Sequence, residues 1–176
     1  KVSGLRWEKV TNSKHFSDGC FKNIHGNQIN KDGLSSLKVA TEFLLHKNPP
    51  DIKPAAPMPS IKTNLTSLND KLPVLIWFGH SSYLIKYNGL NILVDPVLDG
   101  YASPSPLLVK AFTGTDIYTP KEFPELDLVL ITHDHYDHLD YQTILKLGPK
   151  IKKLLCPIGG GEHLESWGYP KENLIE

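Results

Sequence analysis

The dipeptide Asn88-Gly89 constrains this chain more tightly than any other feature. It separates two strand-forming runs, Tyr83 to Tyr87 and Leu90 to Val94, and Asn-Gly supplies the positive φ at both central positions that a two-residue type I′ hairpin requires. A loop of that length also fixes register. Tyr87 is expected to face Leu90, Ile85 to face Ile92 and Tyr83 to face Val94 on one side, with Leu84 opposite Leu93 on the other. Upstream, Val74-Leu75-Ile76-Trp77-Phe78 is a continuous apolar run too short for a typical helix, which reads as a strand buried on both faces. Downstream, Leu126 to Thr132 and Lys153 to Cys156 read as further short strands. Asp140 is placed to cap a helix running to about Leu147 that Gly148-Pro149 stops, and Glu162 to Trp167 supplies another helical turn or two. Strands alternating with helices in this way give an α/β fold.

The rest of the chain is less regular. Residues 1 to 35 are polar, with isolated aromatics at Trp7, Phe16 and Phe21, and read as an extended arm without regular structure. Apolar residues from Ser36 to His46 approximate helical spacing, and Pro49-Pro50 ends that helix. Five prolines between 49 and 62 make a semi-rigid connector that cannot be a central strand. The chain therefore divides into an arm, helix and connector over 1–62 and a main module over 63–176. A long loop rich in Gly and Pro between Asp95-Pro96 and Leu126 is of the kind that usually carries function.

Composition excludes several partners. Lys+Arg and Asp+Glu are both 19, and no basic run offers itself to nucleic acid or an anionic membrane. No apolar stretch reaches the roughly 20 residues needed to span a bilayer. Cys20 and Cys156 lie far apart in no zinc-type spacing and read as free thiols in a reducing compartment, with one disulfide as the alternative. The expectation is a soluble protein, cytoplasmic, with association at a membrane surface left open. The first residue is Lys1 rather than Met, so a missing N-terminal anchor also stays open.

The chemistry concentrates in six residues, His133-Asp134-His135-Tyr136-Asp137-His138. Alternate residues leaving a strand point the same way, so His133 and His135 can present two imidazoles to one cation. The turn that follows aims Asp137 and His138 at a second. Neutral imidazole with carboxylate suits Zn2+ best, with iron or manganese as alternatives.

Thr132 to Asp140 resembles the HxHxDH signature of the metallo-β-lactamase superfamily. Trp77-Phe78-Gly79-His80-Ser81-Ser82, then Ile92-Leu93-Val94-Asp95-Pro96, then the histidine motif, resemble the branch that contains N-acylphosphatidylethanolamine-hydrolysing phospholipase D. The resemblance implies an αββα sandwich of which only the first half is present, with the C-terminal half of the fold or another chain needed to complete the site. It implies that His133 and His135 bind the first zinc and that Asp137, the candidate catalytic residue, binds the second with His138. Asp95 is then a brace for the metal loop, and His80 a residue near the site or its substrate. His163 is expected at the surface. The implied activity is a metal-dependent hydrolase that uses a metal-bridging hydroxide on a phosphodiester or phospholipid-type substrate. The alternatives are a lactonase acting on a sugar-phosphate lactone and a non-catalytic truncated half-module. A small-molecule or lipid substrate and an oligomer complete the expectations.

Overall fold

The computed structural model describes residues 2–23, 38, 41–42, 45, 52–103 and 109–176. After a short N-terminal helix and hairpin, six strands follow in sequence and lie in the sheet in that same order. They are β3 (Val74–Gly79), β4 (Ser82–Tyr87), β5 (Leu90–Val94), β6 (Leu128–Leu130), β7 (Leu154–Leu155) and β8 (Leu174–Ile175). The first three are antiparallel and the last three join in parallel. Helix α2 (Tyr141–Leu147) crosses from β6 to β7, and α3 (Gly161–Ser166) crosses from β7 to β8. This is the α/β architecture expected, built around one six-stranded sheet.

The hairpin turn folds as its dipeptide dictates. Asn88 and Gly89 have φ of 48° and 81°, and the β4–β5 pairs are Tyr83 with Val94, Leu84 with Leu93, Ile85 with Ile92 and Tyr87 with Leu90. Asp140 caps α2, accepting hydrogen bonds from the backbone amides of Gln142 and Thr143, and the helix ends at Gly148. The strand expected over Leu126 to Thr132 shrinks to three residues, and that over Lys153 to Cys156 to two.

Register aligns one apolar row across all six strands: Ile76, Leu84, Leu93, Val129, Leu154 and Leu174. Its four central members are fully buried. Ile144 and Leu147 of α2, Leu164 of α3, Leu65 and the aromatic pair Phe78 and Tyr118 join them in the core. The opposite face differs. Val94 is buried there, but Leu75 and Trp77 at one edge are 64% and 66% exposed and Ile175 at the other is 45% exposed.

This corrects the reading of β3 as buried on both faces. An apolar run reports hydrophobicity but not how many layers surround it, and β3 is an edge strand whose outer face no described residue covers.

The arm also needs correction. Residues Gly4–Thr11 form helix α1, and Phe16–Ser17 (β1) pairs with Cys20–Phe21 (β2). Asp18 and Gly19 take φ of 53° and 78°, the same turn chemistry as Asn88-Gly89 between strands of only two residues each. Trp7, Phe16 and Phe21 are not isolated, since their rings stack edge to face at 5.7 and 5.2 Å. Of the helix expected over Ser36 to His46, Lys38, Thr41, Glu42 and Leu45 are helical and the rest lies outside the described residues. Residues 53–62 of the connector form no strand. Among the described residues no helix is long and apolar enough to cross a membrane.

The two faces of the sheet should respond differently to mutation. Leu84→Ala on the covered face is expected to cost about 2–5 kcal/mol, read from urea denaturation. Leu75→Lys on the open face should cost under about 0.5 kcal/mol and lower the light scattering of concentrated samples. Equal losses at both positions would mean that the outer face is covered in solution.

Candidate metal centre

The candidate residues converge at one end of the sheet. Strands β3, β5 and β6 run the same way, so the turn after β3, the end of β5 and the loop after β6 all emerge together. They carry His80, Asp95 and the His133–His138 loop respectively. Ligand sites of open α/β sheets favour this carboxyl end.

Asp95 anchors the arrangement. It is 1% exposed, yet it makes a full set of hydrogen bonds. The backbone amide of Thr132 donates to Oδ1 at 2.7 Å, the Thr132 hydroxyl donates to Oδ2 at 2.7 Å, and Nδ1 of His138 donates to Oδ2 at 2.8 Å. Its own amide donates to the carbonyl of Leu130 at 2.9 Å, so β5 and the metal loop are tied at their tips. Because the Thr132 hydroxyl gives its proton to the carboxylate, Nδ1 of His133, 3.0 Å from that hydroxyl, is left to donate to it. Both His133 and His138 are thereby held in the tautomer whose Nε2 lone pair is free. Carboxylate-oriented imidazoles of this kind are characteristic of metal ligands.

Two groups of donors result, each with one ligand atom per residue lying within 4.8 Å of the others. One is His133, His135 and Asp137; the other is His80, Asp137 and His138. The His133 ring lies 3.8 Å from that of His138 and 4.6 Å from that of His135, centre to centre. The set of neutral imidazoles and one carboxylate fits a borderline-soft divalent cation such as zinc. Partial burial pushes the Asp137 carboxyl up, but a hydrogen bond with its own backbone and the nearby His138 and His80 imidazoles outweigh this. The net effect holds it below the ordinary carboxylate range.

All four residues of the histidine motif singled out from the sequence thus come together, with Asp95 behind them. His80 lies beside Asp137, its Nε2 2.9 Å from Oδ2. His163 is exposed on α3. Sequence reasoning assigned no role to Thr132, whose amide and hydroxyl carry two of the three bonds to Asp95. The available signal was its position between a strand end and a histidine pair.

Residues 90–176 match the family described as beta-lactamase superfamily domain. Over these residues the chain is similar to that superfamily domain. A protein of Mycobacterium tuberculosis described as uncharacterized is 32% identical over 165 residues, which cover 93% of this chain and 44% of that protein. N-acyl-phosphatidylethanolamine-hydrolyzing phospholipase D 1 of Caenorhabditis elegans is 34% identical over 99 residues, 52% of this chain and 25% of the relative. A protein of Nitratidesulfovibrio vulgaris named as a metal-dependent hydrolase is 34% identical over 101 residues, 57% of this chain and 37% of the relative. The chain spans less than half the length of each of these relatives. The superfamily resemblance drawn from the histidine motif therefore holds, and the phospholipase D branch is among the relatives.

Asp95→Asn tests the brace without disturbing the backbone, because Asn tolerates the positive φ of 41° found there. An amide cannot accept from all three donors, so one is left unpaired in the interior. The expected loss is about 1–3 kcal/mol of stability, together with a metal affinity weaker by about 10–100-fold. Denaturant titration and zinc competition with a chromophoric chelator measure the two. Wild-type values in both would remove Asp95 from the site.

Proposed function

We propose that this domain forms part of a metal-dependent hydrolase with two zinc sites, acting on a phosphodiester of phospholipid type. The observation that carries the reading is a cavity of about 470 Å³ that reaches the metal loop, with His80 and Asp137 in its wall. The remaining lining is dominated by apolar side chains, among them Met58, Trp77, Phe78, Phe112 and Tyr118. Apolar walls beside charged donors suit a substrate with a hydrophobic substituent next to an ionic reacting group. The name of the nematode relative supports the same substrate class.

When bound, the metals polarise the scissile group and lower the pKa of water toward neutrality, so no serine or cysteine nucleophile is required. The chain's own residues hold and orient. Asp95 and Thr132 fix the imidazoles, Asp137 presents its carboxylate between the two donor groups, and the aromatic walls keep water from the apolar part of the substrate. A sugar-phosphate lactone would need a cationic clamp for its phosphate, and Lys110 is the one lysine or arginine in the lining among the described residues. A non-catalytic half-module gives no reason for the cavity to meet the donors.

Catalytic metals usually take three protein ligands each, and the described residues supply five candidate donors with Asp137 shared. Counting Asp137 for the second metal leaves the His133–His135 position with two donors, which a further ligand from a C-terminal half of the fold or from another chain would complete, and the open apolar face of the sheet suits the same second layer.

In the complete protein, chelation should abolish hydrolysis of a long-acyl phosphodiester, and zinc should restore it. The 176-residue chain alone should be inactive. Phe112→Arg should raise KM for the acylated substrate about tenfold, equivalent to 1.4 kcal/mol, and leave a short soluble diester unaffected. Turnover of a lactone with none of either diester would favour the lactonase.

A further inference from the structure

Among the described residues, four non-glycine residues have positive φ: Asp18, His80, Asn88 and Asp95. Asp18 and Asn88 are turn residues of tight hairpins, and Asp95 braces the metal loop. His80 is left to explain. Its φ is 45° and that of the preceding Gly79 is 104°, and the β3–β4 register shifts at this point. The conformation is also locked, since the indole of Trp77 donates to the His80 carbonyl at 2.9 Å. Unusual backbone that the surroundings over-determine tends to mark functional positions.

The conformation delivers the imidazole to Asp137. Nε2 of His80 lies 2.9 Å from Oδ2, and Nε2 of His138 lies 3.6 Å from the same oxygen. The His80 and Asp137 side chains are 56% and 36% exposed, so their pairing is a surface ion pair at most, and such pairs contribute little in water. That is a weak reason to hold a histidine in left-handed backbone. A cation shared by three donors is a stronger one. His138 brings a free Nε2 because Asp95 occupies its Nδ1, Asp137 brings a carboxylate oxygen, and His80 brings the third donor. Two of the three, His80 and Asp137, line the apolar cavity, which leaves the site open on the side where a substrate would lie. Catalytic zinc sites have this form, three protein ligands with one open position.

We propose that His80 is a metal ligand, and that with Asp137 and His138 it forms a three-donor site complete within residues 80–138. The inference rests on reading the His133–His138 loop as a metal centre. It adds that the second metal position needs no donor from elsewhere to bind its ion.

The test reads metal binding rather than activity. Metal-free protein carrying His133→Ala and His135→Ala, which lacks the other donor group, is titrated with zinc against a chromophoric chelator. It should retain one equivalent, and X-ray absorption should count two imidazoles. Adding His80→Asn, whose side chain tolerates the backbone conformation, should weaken binding by more than about 100-fold, beyond the 10–100-fold typical of losing an outer hydrogen-bond partner. His80→Gln keeps an N–H that can reach Asp137 and should be as weak, with one imidazole counted. A Gln variant within about tenfold of its parent would show that His80 only positions Asp137, and would overturn the proposal. So would loss of all zinc from the His133→Ala/His135→Ala protein while the wild type still binds. A wild type that binds no zinc would overturn the metal-centre reading along with it.

Discussion

The buried carboxylate of Asp95 is the constraint on which the site depends. A charge taken out of water costs several kcal/mol unless it is fully paired, and here three donors converge on it from one loop. Hydrogen bonds to charged groups contribute about 1.5–3 kcal/mol each, enough to tolerate a left-handed residue whose strain is of order 1–3 kcal/mol. The consequence is directional. Because the bonds come from the Thr132 amide, the Thr132 hydroxyl and His138 Nδ1, the loop after β6 has one way to lie against β5. The imidazoles of His133 and His138 have one tautomer each that satisfies the network. An isolated histidine loop would sample many rotamers; this one is set before any ligand arrives.

What the sequence made legible is what local chemistry decides. The Asn88-Gly89 register, the Asp140 cap and the stop at Gly148 each depend on a few adjacent residues, and each folds as its residue types require. The histidine loop is legible for the same reason, since its donors are neighbours in the chain. Thr132 is not, and His80 entered only through the family resemblance, which placed it near the site without naming its partner. The importance of His80 comes from lying beside a residue 57 positions away, and that of Thr132 from a carboxylate 37 positions away. Such proximity is a property of the sheet order. The β1–β2 hairpin carries a legible turn at Asp18-Gly19, but strands of two residues give too little alternation to read.

The exposed edge of β3 follows from the same limit. An apolar run states how much hydrophobic surface a strand brings and says nothing of how many layers meet it. In this sheet the helices, Leu65 and the Tyr118–Phe123 segment lie on one face, where Leu84, Leu93, Val129 and Leu154 are fully buried. Trp77 on the other face still has a task. Its indole fixes the His80 carbonyl, and its side chain lines the cavity, so an edge residue that buries little helps shape the mouth of the site.

The N-terminal arm bears on the same end of the sheet. Arg6 on α1 donates from Nε to Glu176 at 2.8 Å and from a terminal nitrogen to Glu165 at 2.6 Å. Glu176 also accepts from the amides of Gly159 and Gly161 at 3.0 and 3.1 Å. Helix α1 is thus riveted to the turn after β7, over the thiol of Cys156. Burial first, and then the Glu176 carboxylate, push that thiol up to about 11. A thiol so placed stays protonated near neutrality and is a poor nucleophile. Although Cys156 and His133 line one small cavity beneath the arm, burial and Glu176 therefore work against cysteine chemistry there, while Arg6 of the arm pulls the thiol the other way without prevailing.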